Sequence, residues 1–301
     1  MVEQKKSKIK LSKAIVPVAG LGTRMLPATK VIPKEMLPII DKPIIQYVVE
    51  EIINAGFDEI IFVTHSSKNS IEDHFDTSFE LETTLEKRVK RSLLKEIKSI
   101  SKLNGTIISI RQSEAKGLGH AILQAKEIVG NESFAVILPD RVMHKSEKNL
   151  ANNLSAMRDK FIKFGKSIIL LEKVSSKDSE KYGIAKLERK KNKLGINRIL
   201  DIVEKPSPKK APSNFAVVGR YIFKPEIFNY IESDSSSNKE IEITDAIKRL
   251  INSEEEVYAT FLEGKCFDCG NKIGYFESII ETAINHPELG KNFKKVLKRF
   301  P

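Results

Sequence analysis

Residues 14–24 read Ala14-Ile15-Val16-Pro17-Val18-Ala19-Gly20-Leu21-Gly22-Thr23-Arg24. A short apolar run ending in closely spaced glycines predicts a buried strand, Ala14–Val18, that runs straight into a turn. Glycines in such a turn let backbone amides approach a phosphate. Outward from it the pattern repeats. Pro43–Ala55 predicts a helix with proline at its start and Gly56 just past its end. Glu59–Thr64, Thr106–Arg111 and Phe134–Leu138 predict further buried strands, and Leu118–Val129 a helix between the last two. Strands alternating with helices imply an α/β fold: a Rossmann-like mixed, mostly parallel sheet flanked by helices. Such sheets bind ligands at the carboxyl ends of their strands.

Beyond this core, Glu72–Leu103 is a charged helical stretch broken near Asp76–Ser78. Ser167–Glu172, Gly183–Glu188, Ile196–Glu204 and Phe215–Phe223 predict strands, with a hairpin tip at Arg189–Lys193. A polar loop at Ser233–Lys239 precedes helices at Ile241–Asn252, Lys272–Asn285 and Leu289–Arg299. With no repeat and no linker, residues 1–301 are expected to form a single domain.

The net charge of +11, from 51 basic and 40 acidic residues, suits anionic partners, either nucleic acid or phosphorylated small molecules. The basic runs Lys87–Arg91, Arg189–Lys193 and Lys291–Arg299 are interleaved with apolar positions, as on solvated faces. They carry almost no aromatics for base stacking and the chain has no Trp, which argues against a nucleic-acid-binding protein. No stretch of about 20 residues is free of charge, and the first apolar run is too short for a signal peptide, so a cytoplasmic protein with no membrane partner is expected. Cys266 and Cys269 form a lone CxxC. It reads as a redox pair or half a zinc site, but no second pair supplies the remaining zinc ligands. The five histidines have no metal-ligand spacing and read as structural or surface residues.

The glycine loop is not a Walker A motif, because no Gly-Lys-Ser/Thr follows, and not GxGxxG, because Met25 stands at the third position. Arg24, Lys30 and Lys34 flank it, a set that suits a triphosphate. Gly20-x-Gly22-Thr23-Arg24-x-x-Pro27-x-Thr29-Lys30, followed by Pro33-Lys34-Glu35-Met36-Leu37-Pro38, resembles the signature of the sugar-nucleotide pyrophosphorylases. The spelling VAGLGTRMLPATKVIPKEMLP is similar to their bacterial UTP- and glucose-1-phosphate-using branch. The likeness continues through His65–Ser70, Phe75–Glu80, Arg111-Gln112, Ala115–Ala121, Leu138-Pro139-Asp140, Val203–Pro206, Val218–Tyr221, Thr244–Ile247 and Asp268–Lys272, nearly the whole chain.

The resemblance implies a fold of the nucleotide-diphospho-sugar transferase type with a smaller sugar-side elaboration. About 14–165 would be the nucleotide-binding half and about 166–301 the sugar-binding and oligomerisation half. The implied reaction is attack of the glucose 1-phosphate oxygen on the α-phosphorus of UTP, giving UDP-glucose and pyrophosphate. That nucleophile is already ionised at neutral pH, so no general base is required and the work is positioning and charge neutralisation. By resemblance Arg24, Lys34 and Lys205 are catalytic. Ala19, Gly20, Gly22, Glu35, Gln112, Gly117 and Asp140 bind the nucleotide, with Gln112 and Gly117 on the uracil edge. Gly183, Glu204 and Lys205 hold the sugar phosphate. Asp140 and Asp268 bind Mg²⁺, which typically takes one or two carboxylates plus phosphate oxygens and water. A homodimer or homotetramer is implied, with Glu80–Leu103 as a contact. The alternatives are a relative using another base or sugar, such as dTTP, and a catalytically dead homologue, against which the retained Arg24, Lys34, Asp140, Lys205 and Asp268 argue. Two positions depart from the family pattern. Arg141 follows Asp140, where a cation would weaken metal binding or pair with phosphate, and Glu242 stands where Gln is usual.

Overall fold

In the computed structural model, which describes residues 10–101, 105–144, 152–192, 195–233 and 240–300, the opening strand forms as β1 (Lys13–Pro17). A small hairpin of β2 (Pro38–Ile39) and β3 (Lys42–Pro43) leads to α1 (Ile44–Asn54), β4 (Glu59–Thr64), and α2 (Asn69–Phe75), α3 (Phe79–Lys87) and α4 (Arg91–Ser101). Then come β5 (Thr106–Arg111), α5 (Leu118–Gln124), α6 (Lys126–Val129), β6 (Phe134–Ile137), β7 (Arg141–His144) and α7 (Asn153–Phe164). The second half holds β8 (Ser167–Lys173), β9 (Gly183–Lys191), β10 (Asn197–Glu204), β11 (Phe215–Phe223), α8 (Ile227–Glu232) and α9 (Ile243–Asn252). It ends with β12 (Val257–Phe261), β13 (Lys265–Asp268), α10 (Lys272–Asn285) and α11 (Gly290–Leu297).

One sheet runs in the order β5-β4-β1-β6-β11-β8-β12-β10-β9. β1 pairs in parallel with β4 on one side and β6 on the other, and β4 with β5. β11 and β10 run against the remaining strands, which all point one way. The chain therefore winds outward from β1 to β5 and returns to β6 on the opposite side of β1. That reversal makes a crevice at the carboxyl ends of β1 and β6, the usual ligand position in an open α/β sheet.

The inner strands β1, β4, β6, β8, β11 and β12 are buried on both faces and read as near-continuous apolar runs, while β5, β9 and β10 toward the edges are partly exposed. Along β1, Ile15 packs with α5, α6, α8 and α9, while Ala14 and Val16 pack with α1, α2 and α7, as the two-residue period of a strand requires. A separate two-stranded ribbon, β7 with β13, stands outside this sheet and covers Met25, Leu37 and Ile44 through Val142.

Some expectations change. The helix expected at Leu118–Val129 breaks at Ala125 into α5 and α6; the stretch from Glu72 breaks at 76–78 as expected, between α2 and α3, and again at 88–90, between α3 and α4. Part of the hairpin tip at Arg189–Lys193, most of the loop Ser233–Lys239 and the end of the stretch to Leu103 lie outside the described residues. β7, β12, β13, α7 and α8 were not expected. Among the described residues no helix is long and apolar enough to cross a membrane.

Candidate active site

The glycine loop leaves β1 at the crevice, and Val18 donates its amide to Val63 O at 2.8 Å to continue the β1–β4 pairing. Thr29 Oγ1 then donates to Gly22 O at 2.7 Å and closes the loop. The end of the Lys34 side chain lies 4.0 Å from where a Cβ on Gly20 would sit, and its Nζ donates to Asp140 Oδ2 at 2.6 Å. Burial works against both charges, but their mutual attraction outweighs it: Lys34 is raised above the ordinary lysine value and Asp140 is lowered below the ordinary carboxylate range. Arg24 is exposed beside the loop.

Asp140 and Asp268 are far apart in sequence, and the β7–β13 ribbon joins them. Asp268 is the register partner of Arg141, and Cys269 donates its amide to Asp140 O at 2.8 Å. A Cβ on Gly270 would lie 2.7 Å from Asp140 Oδ2 and 3.0 Å from Asp268 Oδ1. Any other residue there would push into both carboxylates, so the two acids converge at a spot kept open by glycine. Two carboxylates beside the glycine loop fit a hard divalent cation, which completes its shell with phosphate and water. Among the described residues no third histidine, cysteine or acid joins them. The cysteines stay out of this chemistry: burial pushes each thiol up to about 12, so neither is a thiolate at neutral pH.

Arg220 fixes the segment that carries Asp140. It is fully buried on β11 and donates to Leu138 O at 2.9 Å and Arg141 O at 2.8 Å, the carbonyls on either side of Asp140. It also donates to Glu51 Oε2 of α1 at 2.7 Å. Glu35 is buried rather than open to the crevice, and Lys68 Nζ donates to it at 2.8 Å. Burial raises Glu35 and lowers Lys68 from their ordinary values.

On the other flank Gln112 follows β5, buried, with its amide 2.8 Å from His120 Nδ1. One N–H of that amide thus points at the imidazole, which leaves the second N–H and the amide oxygen to meet a ligand. Gly117 has φ 95°, and a Cβ there would meet Ile241 O at 2.8 Å. The loop is clamped to the segment before α9: Ile241 donates to Lys116 O at 2.8 Å and Gly119 to Ile241 O at 2.7 Å.

A third group gathers where β9 and β10 end. Glu204 is the register partner of Gly183, and Thr244 Oγ1 of α9 donates to Glu204 Oε2 at 2.7 Å. Lys205 Nζ lies 3.1 Å from Glu204 Oε1 and is half exposed. Burial disfavours its charge, but Glu204 more than offsets this and raises it. A lysine before proline favours extended backbone, yet the φ of Lys205 is 42°. Its amide donates to Tyr182 O at 3.0 Å, which keeps the strand pairing one residue longer and forces the chain to turn off sharply.

Asp140, Asp268, Lys34 and the glycine loop thus meet at one point and Glu204, Lys205 and Gly183 at a second, while Gln112 and Gly117 lie on the loop between β5 and α5. Lys68, His120, Arg220 and Thr244, which hold these residues, had no sequence-based role. The profile of the nucleotidyl transferase family matches residues 13–284. The chain belongs to that family. Among nucleotidyl transferases it is 53% identical over 289 residues to the UTP–glucose-1-phosphate uridylyltransferase of Haemophilus influenzae, covering 95% of this chain and 98% of that one. The enzyme of the same name from Escherichia coli is 51% identical over 292 residues, 96% of each chain. The UTP-bound UGPase from Acinetobacter baumannii superposes with a TM-score of 0.89 at 43% identity, covering 97% of this chain and all 100% of that one. A UDP-glucose pyrophosphorylase solved with UDP-glucose gives 0.82 at 40% identity, covering 92% and 100%.

Proposed function

We infer that this nucleotidyl transferase makes UDP-glucose and pyrophosphate from UTP and glucose 1-phosphate. The observation that carries it is whole-length similarity to uridylyltransferases, including structures holding UTP and UDP-glucose. The crevice agrees, since its charged groups suit the binding of two phosphorylated substrates. Lys34 and Arg24 draw the triphosphate onto the Gly20–Gly22 loop, with Ala19 at its base. Gln112 offers one amide end to the uracil edge, and the backbone at Gly117 offers the complementary group. Glu35 acts indirectly, by anchoring Lys68 behind the ribose side. Glu204 accepts from sugar hydroxyls beside Gly183, and Lys205 holds the sugar phosphate. The ionised phosphate oxygen attacks the α-phosphorus in line and pyrophosphate departs, with no proton to remove. Mg²⁺ held by Asp140 and Asp268 would neutralise phosphate charge in the transition state. Residues about 14–165 serve the nucleotide and about 166–301 the sugar and subunit contacts. The enzyme is cytoplasmic and a homodimer or homotetramer, a state supported by exposed Ile273, Phe276 and Ile280 along one stripe of α10 and by the partly apolar α3–α4 pair.

Pyrophosphate release measured with a panel of nucleoside triphosphates and sugar 1-phosphates tests the assignment. UTP with glucose 1-phosphate is the expected best pair; equal efficiency with ATP, or a preference for dTTP, would refute it. A thymidylyltransferase from Bacillus anthracis is only 22% identical and shares the fold alone. Excess EDTA should stop the reaction, and Asp140→Asn should cost on the order of ~3 kcal/mol of transition-state stabilisation. Full turnover under either condition removes the metal from the scheme.

A further inference from the structure

Arg141 is 6% exposed, yet its guanidinium makes no hydrogen bond or ion pair with any described residue. Its one direct partner is the ring of Tyr182, 4.8 Å away. Stacking uses the face of the guanidinium and leaves the donors on its edge unsatisfied. Its nitrogens are not sealed from solvent, so that free edge can meet an anion entering the crevice. The ribbon determines where those donors lie. Val142 turns into the cluster with Met25 and Leu37, so Arg141 and its register partner Asp268 share the opposite face. The ionisable groups that feel the guanidinium are Cys266, Asp268, Tyr182, Asp140, Glu172 and Tyr221. It stands between the paired carboxylates and Tyr182, and the carbonyl of Tyr182 accepts from Lys205.

We propose that Arg141 is a substrate-binding residue that grips the phosphate of the sugar 1-phosphate through the free edge of its guanidinium. A planar fork matches two phosphate oxygens, and Tyr182 holds the fork in register before substrate arrives. Arg141 and Lys205 then share one anion from either side of Tyr182, while Lys34 serves the nucleotide. The inference rests on the sugar phosphate lying at Gly183, Glu204 and Lys205.

Steady-state kinetics with each substrate varied in turn, on the parent, Arg141→Met and Arg141→Lys, tests it together with calorimetric binding of UDP-glucose in EDTA. The KM for glucose 1-phosphate should rise about ten-fold or more in Arg141→Met, with that for UTP within about two-fold. UDP-glucose should bind more weakly even without metal. Arg141→Lys keeps the charge but not the fork, and should fall between. If Arg141→Met does not fold, Arg141→Lys decides alone, and a parental glucose 1-phosphate KM in it overturns the proposal. So does a folded Arg141→Met with parental KM and UDP-glucose affinity, or a shift confined to UTP. A parent that does not turn over UTP and glucose 1-phosphate would instead overturn the assigned reaction.

Discussion

Lys205 is the residue at which local preference and function conflict. A lysine before proline favours extended backbone, but Lys205 sits at φ 42°. Holding a non-glycine residue there costs of order 1–3 kcal/mol, and such strain tends to collect at functional sites. Here the bond to Tyr182 O and the contact with Glu204 hold it in place. Lys205→Ala is expected to raise the KM for glucose 1-phosphate roughly ten- to a hundred-fold, with little change for UTP. Lys205→Gly should bind as poorly but melt higher than Lys205→Ala, because glycine tolerates positive φ, a gain of about 1 kcal/mol. Equal melting temperatures would mean the backbone is not strained. The charged and polar residues of the site were readable because motifs carry them. What the sequence concealed was the partner of each. Lys68 reaches Glu35 across 33 positions, Thr244 reaches Glu204 across 40, and Arg220 reaches Glu51 across 169. Only folding sets such distances. The His120–Gln112 contact is 8 positions apart, and it went unseen because a helix start separates the two.

At the level of elements, the parallel core was legible because each strand is a continuous apolar run. Glu59–Thr64, Thr106–Arg111 and Phe215–Phe223 fall on the residues expected, and so does Lys272–Asn285, which Asn271 caps. β7 and β13 were not legible. Each is four residues long, and each carries a charge where an apolar pattern is sought. α7 did carry a signal, since Asn152 caps its start and Gly165 ends it at φ 66°. The ribbon depends on the Arg220 clasp. Arg220→Met should cost about 3–5 kcal/mol in denaturant unfolding, because it leaves the Glu51 carboxylate and two carbonyls buried without a donor. Turnover should fall further than this stability loss explains, as Asp140 loses its anchor on both sides. A variant with parental unfolding and turnover would show that the clasp carries no load.

For the molecule as a whole, the excess of 51 basic over 40 acidic residues acts on two polyanionic substrates at once. Raising salt from about 20 to about 300 mM should lower kcat/KM for UTP several-fold by screening long-range attraction, while kcat at saturating substrate changes little. Stopped-flow or initial-rate measurements across that range check it, and a salt-independent kcat/KM would assign the charge to solubility alone. The ribbon of β7 and β13 has a further consequence, for the time at which the enzyme comes into being. During synthesis the glycine loop, Lys34 and Asp140 emerge early, followed by the rest of the sheet. Lys265–Asp268, which bring the second carboxylate to Asp140, emerge only well after it. A growing chain can therefore fold its nucleotide-binding strands on the ribosome and still lack the acid pair. If the reaction needs both acids, it waits for that segment, and a product truncated before Lys265 is expected to consume no UTP.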